Sequence, residues 1–415
     1  MQAEIITIGD ELLIGQVVDT NSAWMGRELN KVGITVHRIS SVSDTEEDIL
    51  AILKEAVSRT PIVLITGGLG PTRDDITKAA LCKFFNTRLV FNEEVYSDVE
   101  NFLKNRVHRI NTMNRDQAMV PEACTVIRNK IGTAPIMWFR TSKGVVVSMP
   151  GVPSEMKDAM QSSIIPRIAN EFVSEVLIHK TVHIFDIPEA MLAERLSGWE
   201  DELAANIKVA YLPQAGKIRL RLSGKGNDRD KLERLINEAI DKLFVIVGDN
   251  IFGFDEQLAE AELIKLLRNK AATISCAESC SGGYLSHLFT SVPGASDVFA
   301  GGIVAYSNKV KEEQLEVAHS LIEQEGAVSK AVVEAMALGA CKVLHSDYAI
   351  ATSGIAGPSG GSSAKPVGTV WIAWATKDKV VSRLFNFGDG RERIIKRSGD
   401  AGVILLKQMI EKKEL

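Results

Sequence analysis

Short apolar runs that stop in Gly-rich polar turns and give way to helical spacing constrain this chain more than any other feature. Residues 3–8, AEIITI, break at Gly9-Asp10-Glu11, and residues 62–65, IVLI, run into TGGLGPTRDD at 66–75. Helical spacing appears near 21–32 and 48–57, with a further strand-like run at 34–39. Strands alternating with helices predict an α/β fold built on a parallel, doubly wound sheet. Such sheets bind ligands at the carboxyl ends of their strands, where both Gly-rich turns fall.

The residues in those turns suit a phosphate. Gly67, Gly68 and Gly70 allow close approach of the backbone, and Pro71 stiffens the turn. Asp74 and Asp75, with Asp10 and Glu11 at the neighbouring strand end, offer hard oxygen ligands for a divalent cation that bridges phosphate oxygens. A helix N-cap with Asp in its first turn is the competing reading of the same acids. Further on, NKIGTAP at 129–135 precedes a strand at 145–149, which ends in Pro150-Gly151-Val152-Pro153 before a helix from Ser154. That loop exposes backbone donors or is an ordinary stiff turn.

At 415 residues the chain exceeds the length at which one core usually stops growing, about 250–300 residues, so two or three domains are expected. The pattern changes near 167–175. Strands at 176–185, 208–212 and 217–222, with helices at 188–196 and 229–243, read as a small α+β domain without a catalytic constellation. Beyond residue 254 the α/β alternation resumes. Strands are predicted at 272–276, 298–305, 348–353, 369–375 and 383–387, with helices at 330–344 and from about Arg391 to the end.

Within that last segment, residues 274–283 read ISCAESCSGG. A buried strand enters a Gly pair and then a helix, which sets backbone N–H groups and a positive helix end beside Ser279 and Cys280. Ser279 needs a base. The seven His lie away from these strand ends, whereas the next strand end carries Tyr306, Lys309 and Lys311. A partly desolvated Lys can activate a hydroxyl, and Tyr306 can relay a proton or orient the pair. The strand ending at Ser353 enters GIAGPSGG, where Gly354, Ala356 and Gly357 offer N–H donors to a developing oxyanion. Arg391 or Arg393 offers a planar fork for a phosphate. Bland readings compete for each: Tyr306 as a strand cap, the lysines as solvated helix face, the arginines as surface charge. Cys280 is the rival nucleophile, provided that its thiol is acidified.

A net charge of -5 without a basic run gives no footprint for nucleic acid, and no apolar stretch approaches the roughly 18 residues of a membrane span. Five Cys without a paired C-x-x-C indicate neither a disulfide framework nor a zinc site. The opening MQAEIITIGDELL carries acids where a signal peptide needs a positive flank. A cytoplasmic setting is expected.

TGGLGPTRDD, MPGVPSEM, AYLPQAGKIRLRLSG, AESCSGG, AYSNKVK and SGIAGPSGGSSAKPVGTVW together resemble the CinA family over essentially the whole chain. The resemblance implies three parts: residues 1–170 similar to molybdopterin-binding proteins, 171–253 a small KH-type domain, and 254–415 a nicotinamide mononucleotide deamidase domain. The implied deamidase yields nicotinate mononucleotide and ammonia without a cofactor. Ser279 is its nucleophile, Lys311 its base and Tyr306 a supporting group. Cys280, Gly282, Gly283, Ser353, Gly354, Gly357, and Arg391 or Arg393 lie about the substrate. The N-terminal part is implied to be an ADP-ribose pyrophosphatase that uses Gly67, Gly68, Gly70, Thr72 and Asp75. Its divalent metal, Co2+ or Mg2+ with K+, falls to Asp10, Asp19, Asp74 and Asp75. A pterin or nucleotide binding module without catalysis is the alternative for that half. A homodimer is expected, with small nucleotides as ligands and neither direct nucleic-acid contact nor membrane. Two departures stand out: Ser281 occupies a position where the family usually has Thr, and Ile136 one where it usually has Gly.

Overall fold

In the computed structural model, residues 1–72, 75–104, 111–173 and 175–415 are described. Two compact units divide the chain: residues 1–179 with 223–236, and residues 180–222 with 237–415.

The first unit is built on a six-stranded sheet. Its strands are β1 (Gln2–Ile8), β2 (Thr35–Val42) and β3 (Ile62–Thr66), then, after a separate hairpin of β4 (Leu89–Phe91) and β5 (Met119–Pro121), β6 (Thr125–Ile127), β7 (Ile136–Arg140) and β8 (Val145–Met149). The order is β2-β1-β3-β8-β7-β6. The first four strands are parallel, as predicted, whereas β7 and β6 add an antiparallel edge. Strand β1 is buried on both faces and alternates its side chains between two cores. Ala3 and Ile5 join Met25, Leu29 and Met160 on one face, while Ile6 and Ile8 join Ile49, Leu53 and Leu81 on the other. Ile136 is buried at the start of β7 and pairs with Ile127, so its branched side chain sits in extended backbone where it is favoured.

The second unit contains most of a four-stranded sheet of order β10-β11-β9-β12, made from β9 (Val176–Phe185), β10 (Ile207–Gln214), β11 (Lys217–Gly226) and β12 (Ile251–Phe254). Its larger sheet is formed by β13 (Ile274–Glu278), β14 (Phe299–Val304), β15 (Tyr348–Gly354), β16 (Thr369–Thr376) and β17 (Val380–Asn386), in the order β14-β13-β15-β16-β17. The first three are parallel and the last two antiparallel. Helices cover both faces. Ile274, Cys276, Ile350 and Trp374 face a core shared with the final helix, Arg391–Glu411, and Ala277, Ala349 and Ala373 face one shared with the helix Lys330–Val343. Trp374 is fully buried and satisfies its indole by donating to Gly402 O at 2.8 Å. The carboxyl ends of β13, β14 and β15 thus lie side by side, which sets the scene for the candidate site.

Candidate active site

Buried along its whole length between β14 and β15, β13 ends at Glu278. The carboxylate of Glu278 is fully buried and turns back on the helix Tyr284–Thr290. It accepts from the backbone N–H groups of Gly283 at 3.0 Å, Leu285 at 3.0 Å and Ser286 at 2.8 Å, and from the Ser286 hydroxyl at 2.6 Å. Gly282 and Gly283, at φ 60 and 101, allow the reversal. The N–H groups that the sequence offers to a ligand anion at that helix end are therefore already taken by Glu278. Sequence reasoning gave this Glu no role, although its place just before the Ser and Gly pair was the available signal.

The turn is also held from β15. Ser279 N donates to Thr352 O at 2.9 Å, and the hydroxyls of Ser281 and Thr352 lie 2.6 Å apart. The hydroxyl at position 281 is thus used, as the conservative departure from Thr allows. Ser279 itself stays partly exposed.

Lys311 comes from the helix Asn308–Leu315, which follows β14 and is capped by Ser307. It is 1% exposed, and its Nζ donates to Ala305 O at 2.8 Å and to Ser279 Oγ at 3.2 Å. Burial pushes its pKa below the ordinary lysine value, with the neighbouring Cys280 opposing. Two residues away, Lys309 is solvated and lies 3.7 Å from Glu313. The bland reading therefore holds for Lys309 and fails for Lys311.

Cys280 is buried, and burial pushes its thiol up to about 12. It carries no thiolate near neutrality, so the rival nucleophile is disfavoured and Cys280 packs in the core. Tyr306 is 61% exposed, and its phenolic oxygen accepts from Arg391 Nη2 at 2.9 Å. Arg391 Nη1 donates to Gly357 O at 2.8 Å. One guanidinium therefore links the loops after β14 and β15 at the start of the final helix. Arg393 instead adds its charge beside Arg397, whose pKa is lowered first by burial and then by that neighbour. Ser353 is buried and donates to Ala327 O at 2.7 Å, and Gly354 ends β15 opposite Val370.

The first unit forms a cleft of about 420 Å³ at the ends of β1, β3 and β8, lined by Gly67, Gly68, Gly70 and Asp75 among others. The proposed metal ligands are not assembled there. Asp75 accepts from Gly70 N at 2.8 Å, from Thr72 N at 2.9 Å and from the Thr72 hydroxyl, so it ties the Gly-rich loop together. Asp19 caps the helix Thr20–Lys31 by accepting from Ser22 N at 2.9 Å. Asp10 and Asp44 bond reciprocally, each backbone N–H to the other's carboxylate, at 3.1 and 3.4 Å. Asp74 lies outside the described residues. Among the described residues, no group of three His, Cys, Asp or Glu side chains could hold a metal ion. Asp19 therefore serves as a helix cap and Asp75 as the tie of its own loop. Asp44 and Glu155, both on the cleft, were not singled out from the sequence. Burial raises the carboxyl pKa of Asp44, helped by the charges of Asp10, Glu11 and Asp75. Among the described residues no helix is long and apolar enough to cross a membrane.

Comparison with known proteins covers all three segments. Family models match residues 4–170 ("Probable molybdopterin binding domain"), 179–253 ("Damage-inducible protein CinA KH domain") and 256–410 ("CinA C-terminal domain"). A CinA-like protein of Cytophaga hutchinsonii is 42% identical over 411 residues, which is 99% of this chain and 98% of that protein. One of Flavobacterium psychrophilum is 44% identical over 400 residues, 96% of each. A solved structure, the competence/damage inducible protein CihA of Agrobacterium tumefaciens, is 33% identical, covering 36% of this chain and 93% of its own, with a TM-score of 0.36. The fold is thus mixed α/β, with a molybdopterin-binding-like domain, a KH domain and a CinA C-terminal domain, and the chain belongs to the CinA family.

Proposed function

We propose that the C-terminal domain hydrolyses the carboxamide of nicotinamide mononucleotide to nicotinate mononucleotide and ammonia. What carries the reading is the contact between the buried Lys311 Nζ and Ser279 Oγ at 3.2 Å. Neutral Lys311 takes the Ser279 proton as Oγ attacks the carboxamide carbon. Lys311 returns that proton to the departing nitrogen as ammonia leaves, and an ester remains on Ser279. Water then attacks the ester with Lys311 again accepting a proton, which frees nicotinate mononucleotide and restores the serine. Arg391, with N–H groups beyond those given to Tyr306 and Gly357, is suited to the substrate phosphate. The set supplies nucleophile, base and anion clamp from side chains, so turnover without added metal is expected. Ammonia release from nicotinamide mononucleotide by the purified chain, with a chelator present, tests this.

For the N-terminal unit we propose cleavage of ADP-ribose in the cleft beside Gly67, Gly68 and Gly70. One observation favours the alternative of a pterin or nucleotide binding module: Asp19 and Asp75 accept from backbone N–H groups of their own cap and loop. Binding of ADP-ribose without cleavage, in Mg2+ or Co2+, would select that alternative.

A further inference from the structure

Glu155 differs from the other carboxylates of the N-terminal cleft. It lies in the first turn of the helix Pro153–Ala159, just beyond β8, and shares the cleft with Gly67, Gly68 and Gly70. Asp75 accepts from two backbone N–H groups and a hydroxyl, and Asp44 accepts the N–H of Asp10. The hydrogen bond described for Glu155 comes from a neutral side-chain amide: Asn129 Nδ2 donates to Oε2 at 2.6 Å. Asn129 is itself buried and fixed, since its Nδ2 also donates to Ala134 O at 2.9 Å and its Oδ1 accepts from Ile131 N at 3.2 Å. Gly132 lies against the same carboxylate, where a Cβ would fall 1.8 Å from Glu155 Oε2. The NKIGTAP segment thus builds a seat for this one carboxylate, with an amide to aim it and a glycine to make room. Burial in that seat raises its pKa above the usual glutamate value, with the Asn129 amide opposing.

We propose that Glu155 is the proton acceptor for water attacking a diphosphate bound along the Gly-rich loop. This rests on the reading of the N-terminal unit as an ADP-ribose pyrophosphatase. The water oxygen bonds to phosphorus as one of its protons passes to a Glu155 oxygen. The bridging P–O bond breaks, its electron pair leaving on the departing phosphate, and Glu155 releases the proton to solvent. AMP and ribose 5-phosphate result, with no redox step.

The test is ADP-ribose cleavage by the full chain in Mg2+ or Co2+, following kcat and KM, with deamidase activity as the folding control. Glu155→Gln keeps the shape and the Asn129 contact site; its kcat should fall on the order of 10²-fold or more, with KM within about twofold. Glu155→Ala should lose as much and regain part of its rate in added formate. A Glu155→Gln enzyme with near-normal kcat, or one that changes only KM, overturns the proposal alone. Wild-type protein that binds ADP-ribose without cleaving it overturns the proposal and the reading beneath it together.

Discussion

Lys311 Nζ lies 3.2 Å from Ser279 Oγ, although the two residues are 32 apart in sequence, one in the turn after β13 and the other on the helix that follows β14. Parallel pairing of β13 with β14, Glu278 opposite Val304, sets those turns side by side. The amine faces the hydroxyl and a backbone carbonyl, and burial lowers its proton affinity. That is the condition under which a lysine can act as a base rather than as a cation.

Lys311→Met and Lys311→Arg should both lower kcat for ammonia release by on the order of 10²- to 10⁴-fold, because neither side chain can accept a proton from the serine. In the wild type, activity should rise with pH as Lys311 loses its proton. The depressed pKa places that limb below the lysine value of 10.5. A pH profile of kcat/KM checks both points, and the limb should vanish in Lys311→Met.

Glu278→Ala should destabilise the protein by on the order of 1–3 kcal/mol, since it strips partners from the N–H groups of Gly283, Leu285 and Ser286 around a buried site. Thermal unfolding reads the loss. Because the same clasp sets the turn that carries Ser279, kcat should fall as well, and Glu278→Gln should lie between Ala and wild type.

Arg391→Lys should raise KM for nicotinamide mononucleotide about tenfold or more by removing the planar guanidinium N–H groups left over for the phosphate, while Arg393→Lys should leave KM within about twofold. Nicotinamide riboside, which lacks the phosphate, should be nearly blind to the Arg391 change. Steady-state kinetics on the two substrates decide it.

With its thiol at about 12, Cys280 should resist iodoacetamide at neutral pH in the folded protein. Peptide mass mapping after alkylation should find Cys280 unmodified in enzyme that retains its deamidase activity.

Much of this was legible from periodicity. The runs that became β1, β3, β13 and β15 are short and apolar and end in Gly-rich turns, so both the parallel topology and the strand-end sites followed. The antiparallel edge was not legible: β6 and β7 are three and five residues long, and IMWFR carries no alternation to mark a strand. Nor did residue spacing separate Lys309 from Lys311, which only the resemblance singled out, because it takes the folded helix to turn one to solvent and the other inward. The loop bonds of Asp75 were hidden for a related reason. A carboxylate in a Gly-rich turn suits a metal and a loop N–H equally well on paper, and only the folded loop shows which backbone groups it accepts. Glu278 and Glu155 were overlooked because their roles depend on segments folding back onto them, the Gly283–Ser286 turn in one case and Asn129 with Gly132 in the other.

The most direct measurement is ammonia release from nicotinamide mononucleotide by Ser279→Ala and Cys280→Ala, assayed side by side with wild type in the presence of a metal chelator. Wild type and Cys280→Ala should turn over, and Ser279→Ala should not. Turnover by Ser279→Ala, with loss in Cys280→Ala, would contradict the account.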